Sequence, residues 1–101
     1  MDRLENFIKR AEDFRIARDW KQFHNPKNIA ISLSLEANEL LEHFQWKNME
    51  ESRDVAKNKK DELKKEIADI GTYLVYMCNE LGIDLVEAME EKMDISESKY
   101  P

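Results

Sequence analysis

Glycine and proline are scarce in this sequence, two of each in 101 residues. So few turn-formers exclude a β fold of many tight turns, and plentiful Glu, Lys, Leu and Ala favour long helices. A lone cysteine, Cys78, excludes an internal disulfide, so nothing calls for an oxidising compartment. It lies in an apolar run and reads as a buried, inert thiol. No stretch approaches the roughly 20 apolar residues of a membrane span. The opening MDRLENFIKRAED is charged throughout and has no apolar centre of the signal-peptide kind. A cytoplasmic protein without a membrane partner is expected. Positive charge is also in deficit: the net charge is −6, which argues against non-specific nucleic-acid binding. A phosphate substrate stays open if a divalent metal supplies the positive charge. One Cys and two distant His give no zinc ligand cluster, and neither His has a Glu three residues before it, which removes the di-iron bundle.

What is present suits one domain over residues 1–101, with 42% hydrophobic and 38% charged residues. Leu4, Phe7, Ile8, Ala11 and Phe14 recur at spacings of three and four, predicting an amphipathic helix over about 3–22. Asn25 can cap a second helix, with Pro26 at its first position. That helix is expected over about 27–47, with Ile29, Leu33, Leu40 and Phe44 on one face and Ile31, Leu35 and Trp46 off it. Apolar residues on more than one side imply burial between neighbours or between subunits. Residues 48–60 show no apolar period and read as a polar connection. A third helix begins near 59–62 with Leu63, Ile67, Ile70, Leu74, Met77 and Leu81 on its core face, and Gly82 suits its left-handed stop. Asp84 followed by Glu87 resembles a capping box for a fourth helix, from about 85 to the mid-90s. Met77, Met89 and Met93 read as core packing. The expectation is an all-α, compact four-helix bundle.

Two carboxylate pairs interrupt this pattern. Glu36 and Glu39 lie in the apolar second helix, and Glu66 and Asp69 lie in the third between Leu63 and Ile70. Residues three apart on a helix share a face. Glu36, Glu39 and His43 fall within about 60° of arc beside the Leu33/Leu40/Phe44 face, and Glu62, Glu66, Asp69 and Tyr73 form one stripe on the third helix. Either pair alone reads as ordinary surface charge. If the two apolar faces pack together, however, both pairs point into one cleft, where like charges repel. Hard divalent cations, Mg²⁺ or Mn²⁺, relieve that repulsion.

Glu36-x-x-Glu39, 26 intervening residues and then Glu66-x-x-Asp69 resemble the signature of the all-α nucleoside triphosphate pyrophosphohydrolases. Arg18-Asp19-Trp20-Lys21-Gln22-Phe23-His24-Asn25-Pro26-Lys27-Asn28, then Phe44-Gln45-Trp46-Lys47, then Lys92-Met93-Asp94 and Lys99-Tyr100-Pro101 are similar to the MazG-like branch that includes dCTP-cleaving members. The resemblance covers about residues 10–101. It implies Mg²⁺ held by Glu36, Glu39, Glu66 and Asp69, with Mn²⁺ as a substitute. It implies a nucleobase and sugar pocket lined by Trp20, His24 and Trp46, with Tyr73 and Lys92 on the phosphates or sugar. Ser96 stands where relatives usually carry Asn, which weakens that contact and bears on substrate preference. Relatives assemble as dimers or dimers of dimers, so a homo-oligomer is implied, with a site able to draw on two chains.

The chemistry this implies is hydrolysis of a (deoxy)nucleoside triphosphate, dCTP or a related one, to monophosphate and pyrophosphate. Glu36 or Glu39 would accept the proton of the attacking water. Lys47 and Lys65 read as solvated charges, His43 as either a partner of the carboxylates or a surface residue, and Tyr73 as either a core residue or a ligand contact. The competing readings are a catalytically silent helical adaptor with the same fold, or an antitoxin-like interaction protein. The complete set of four carboxylates speaks against the adaptor, and the antitoxin-like reading predicts a partner and no Mg²⁺ dependence.

Overall fold

The computed structural model describes residues 1–101 and is helical throughout. Its elements are α1 (Arg3–Ala17), a 3₁₀ turn (Lys21–Phe23), α2 (Pro26–Glu42), α3 (Met49–Asn58), α4 (Lys60–Leu81) and α5 (Leu85–Lys99). Local chemistry sets most of the ends. Asp2 caps α1 by accepting from the Glu5 N–H at 2.8 Å, and Asn25 caps α2 by accepting from the Asn28 N–H at 2.9 Å, with Pro26 opening the helix. Asp84 caps α5 through the Glu87 N–H at 2.9 Å. Gly82 closes α4 at φ 66°, a left-handed value that costs a residue without a Cβ nothing.

Three sequence expectations need correction. The first helix ends at Ala17 rather than near 22, because Asp19 takes φ 57°. The Asp19 and Trp20 N–H groups fold back onto the Ile16 and Arg15 carbonyls at 3.0 and 2.9 Å. The second helix likewise stops at Glu42, and Trp46 lies in the turns beyond it. The supposed polar connection 48–60 is mostly helix. Asn48 and Glu51 form a reciprocal capping box, with Glu50 and Glu51 in the first turn and Lys57 in the last, so α3 is held by its caps and its charges. The expected four helices are therefore five.

The packing is concentrated in one place. α2 lies against α4 over much of its length, while α1 and α3 touch α4 more sparingly and α5 makes at most marginal contact with any helix. Ala11 of α1, Ile29 of α2 and Tyr76 of α4 form the core cluster, with Tyr73 and Met77 packed on it. Leu63, Val75 and Cys78 are also buried. The one buried charged residue is Arg15, whose side chain is fully enclosed between α1 and α4.

The bundle is not compact as a single chain. Its radius of gyration is 16.2 Å, against about 13 Å for a compact domain of this size. Ile67, Leu81, Met89 and Met93, expected in the core, are more than half exposed, as are Leu35 and Trp46. The reason is that α5 does not fold back on α4, so their apolar faces lack a cover. The core that does exist should be sensitive to truncation. Ile29→Ala is expected to lower stability by about 2–5 kcal/mol, read from urea unfolding at fixed protein concentration.

Candidate active site

The packing of α2 on α4 brings the two carboxylate pairs together. Burial pushes the Glu36 carboxyl above the ordinary carboxylate range. A hydrogen bond with Glu39 and the negative charges of Glu39, Asp69 and Glu66 push it further the same way. Its Oε2 is buried with no partner. Glu66, half-buried on α4, meets His43 Nε2 at 2.8 Å, although the contact is not aligned as a hydrogen bond. Glu39 and Asp69 are exposed at the edge of the cleft. None of the four acids pairs with a Lys or Arg.

The four carboxylates approach one another without closing into a coordination shell, and no three ligating side chains of the chain do so. Their chemistry nevertheless fits a hard divalent cation. Hard oxygen donors converge, a buried carboxylate oxygen lacks a partner, and His43 is the only nitrogen-bearing side chain paired with the acids. Glu62, on the same stripe in the sequence, lies instead among Lys57, Lys59 and Lys60 at the start of α4.

Beyond the acids, α4 carries Tyr73, Tyr76 and Glu80 on the same face, continuing the alternation of four and three residues from Glu66 and Asp69. Tyr73 and Tyr76 stand about 6 Å and about 10 Å along the helix from Asp69. His24, placed by the 3₁₀ turn, packs there, its ring centroid 5.3 Å from that of Tyr76 and 6.4 Å from that of Tyr73. Burial first, and then the neighbouring Arg15 charge, lower the His24 pKa. Trp20 stands edge-on to Phe14 at 5.3 Å and is about half exposed. Trp46 is 86% exposed and projects from the turn after α2.

The structure does not bring every expected residue to the cleft. Lys92 and Ser96 sit on α5 beside Ala88, Met89 and Met93, in a shallow apolar trough apart from α2 and α4. A single chain thus joins Glu36, Glu39, Glu66 and Asp69, sets His24 beside Tyr73 one turn further along α4, and leaves Lys92 and Ser96 elsewhere. His43, read as either a partner of the acids or a surface residue, is the direct partner of Glu66. Its place one turn after Glu39 was visible in the sequence, but the facing Glu66 was not.

An all-helical fold with an acidic cleft between two long helices is thereby defined. A solved pyrophosphatase structure from Archaeoglobus fulgidus DSM 4304 superposes on it with a TM-score of 0.95 and 39% sequence identity, covering 100% of this chain and 94% of that one. The MazG-like family model matches residues 31–101, and the chain belongs to that family. It is 37% identical over 100 residues to dCTP pyrophosphatase 1 of Rattus norvegicus and 36% identical to dCTP pyrophosphatase 1 of Homo sapiens. Each alignment takes in 97% of this chain, which spans 59% of the length of these relatives.

The crowding at Glu36 has a measurable cost. Glu36→Gln should raise the melting temperature of the metal-free protein, by a stabilisation on the order of 1 kcal/mol. The folded-state pKa of Glu36 is raised, so its ionised form works against folding as pH rises through that value. The gain should therefore be present at neutral pH and vanish in acid, where the wild-type carboxyl is itself neutral. Mg²⁺ should stabilise the wild type more than the variant. Thermal unfolding of both proteins, with and without Mg²⁺ across this pH range, checks it; a less stable variant would contradict the crowding.

Proposed function

We propose that this chain is a nucleoside triphosphate pyrophosphohydrolase that uses Mg²⁺, or Mn²⁺ in its place, with dCTP the first candidate substrate. The observation that carries the reading is Glu36 among Glu39, Glu66 and Asp69, its buried oxygen without a partner and no Lys or Arg paired with any of the four. The dCTP pyrophosphatase relatives support the choice of substrate.

Glu36, Glu39, Glu66 and Asp69 would hold the cation. When bound, it supplies a water of lowered pKa and positive charge against the triphosphate. His43 steadies Glu66, which leaves the other three carboxylates without a Lys, Arg or His partner. Glu36 and Glu39 share the task of accepting the water's proton. The raised proton affinity of Glu36 suits it to that task, and the exposure of Glu39 gives it access. The nucleoside end would lie against Trp20, His24 and Tyr73. Tyr73 and Tyr76, on which His24 packs, stand about one to two helical turns from Asp69 along α4. With the nucleoside held there, the phosphate nearest the acids is the α-phosphate. The products are then the monophosphate and pyrophosphate.

The active form is a homodimer or homotetramer. Uncovered faces on α2, α4 and α5 support this, as does an extended shape that leaves Lys92, Ser96 and Trp46 outside the cleft. A second copy laid on those faces would cover the apolar surface and carry Lys92 and Ser96 toward the phosphates and Trp46 toward the base.

Hydrolysis of dCTP in ¹⁸O-labelled water should place the label in dCMP and none in pyrophosphate. Label in pyrophosphate, or release of inorganic phosphate, would overturn attack at the α-phosphorus. Glu39→Gln and Asp69→Asn should each nearly abolish turnover while circular dichroism shows unchanged helix content. Assembly has its own check: at micromolar concentration the protein should sediment as a dimer or larger, and a monomer would contradict the second-copy arrangement.

A further inference from the structure

We propose that Arg15 is a positioning residue for substrate selection, holding His24 as an acceptor at Nδ1 so that Nε2 presents an N–H to a carbonyl or ring-nitrogen acceptor on the base. The proposal rests on the function above, because substrate contact at His24 belongs to that reading.

A guanidinium removed from water costs several kcal/mol unless it is paired. Arg15 is paired on several sides. Its Nε donates to Glu12 at 2.9 Å, its Nη2 lies 2.8 Å from Glu12 and 3.0 Å from Glu80, and its plane covers the Tyr76 ring at 4.7 Å. Lys21 meets Glu12 at 2.8 Å and Asn79 donates to it at 3.2 Å. Burial alone would raise the pKa of Glu12, but the hydrogen bonds from Lys21 and Arg15 outweigh it and hold the carboxyl below its ordinary value. Arg15 and Lys21 balance Glu12 and Glu80, so the network is neutral without a charge on His24.

What remains is Nη1, 3.4 Å from His24 Nδ1. A guanidinium can only donate, so Nδ1 must carry a lone pair; a neutral imidazole with its lone pair there has its proton on Nε2. An imidazolium would instead set two donors and two positive charges face to face. Tyr73 and Tyr76 pack on the ring, and no other protein group hydrogen-bonds it. Arg15 therefore settles the tautomer, and Nε2–H is left for an outside partner.

An N–H donor accepts only certain partners. It rewards an oxygen or nitrogen lone pair and penalises an amino group at the same place, because two facing donors leave each other unpaired. A neutral donor is a weak choice for a phosphate, and His24 sits beside Tyr73 and Tyr76, beyond the acids along α4. The fitting partner is an acceptor on the base edge, such as the C2 carbonyl of a pyrimidine.

The imidazole nitrogens give a direct readout. With only two histidines, comparison with a His24→Gln spectrum assigns the signals in a ¹H–¹⁵N long-range correlation experiment on labelled protein. Wild type should show His24 with Nδ1 unprotonated and Nε2 protonated at neutral pH. Arg15→Lys, which keeps the positive charge between Glu12 and Glu80, should give a tautomer mixture. If that variant fails to fold, two substitutions at His24 leave Arg15 in place. His24→Asn keeps an acceptor near Nδ1 but loses the outer donor, and should raise KM roughly three- to tenfold with kcat largely kept. His24→Gln restores a donor near Nε2 and should recover most of that loss. An imidazolium or an Nδ1–H tautomer in wild type, an unchanged tautomer in folded Arg15→Lys, or a wild-type KM in His24→Asn would each overturn the proposal. A wild-type protein that hydrolyses no nucleotide would instead overturn the function it rests on, and the spectrum would still judge the hold of Arg15 on His24.

Discussion

The contact between α2 and α4 is the most extensive in the chain, and α1 and α3 dock on α4 beside it. The same contact that buries Ile29 against Tyr76 also forces Glu36 toward Glu66 and Asp69. Stability and charge repulsion thus come from one surface and cannot be adjusted independently. Tightening the helix pair would bury more apolar area, but it would also drive the acids closer in a medium that screens them poorly. The partnerless oxygen of Glu36 marks where the compromise falls. A chain selected for stability alone would place an uncharged side chain there.

The α4 helix carries two charged clusters of opposite character. Toward its end, Arg15, Lys21, Glu12 and Glu80 form a closed set in which each charge meets an opposite one within about 3 Å. Nearer its start, Glu36, Glu39, Glu66 and Asp69 have only His43 among them. The closed set ties α1 and the 3₁₀ turn to α4, with Arg15 Nη2 and Glu12 Oε1 held by ion pairs and not by aligned hydrogen bonds. The open set has no Lys or Arg to balance it. Tyr73 and His24 stand between the two, touching the closed network on one side and lying one turn from the acids on the other.

Much of this was legible in the sequence because its causes are local. A cap needs one side chain and the N–H three residues on, so Asn25-Pro26 and Asp84 could be placed from spacing alone, and Gly82 from its missing Cβ. The carboxylate stripes were equally visible, since helical geometry fixes which residues share a face. α3 was missed because its apolar residues are few, Met49, Val55 and Ala56, although Asn48 and Glu51 spelled out its capping box. The pairing of His43 with Glu66 and the enclosure of Arg15 depend on which helices meet. Arg15 in particular reads as one more polar residue on α1 until Glu80, 65 positions away, closes over it. The expectation of a compact bundle failed because periodicity shows that a face is apolar but not which molecule covers it, and α5 shows the difference.

With only seven residues buried in a chain of 101, the folded monomer removes little apolar surface from water. Heat capacity of unfolding and denaturant sensitivity both scale with that surface. The isolated subunit should therefore have a broad, shallow stability curve, changing little with temperature and melting over a wide range. If a second copy covers the faces of α2, α4 and α5, as proposed, a steep transition would belong to that assembly, and its midpoint would move with protein concentration. Cooperativity in this protein would then be a property of the oligomer, and dilution would soften the fold as surely as heat.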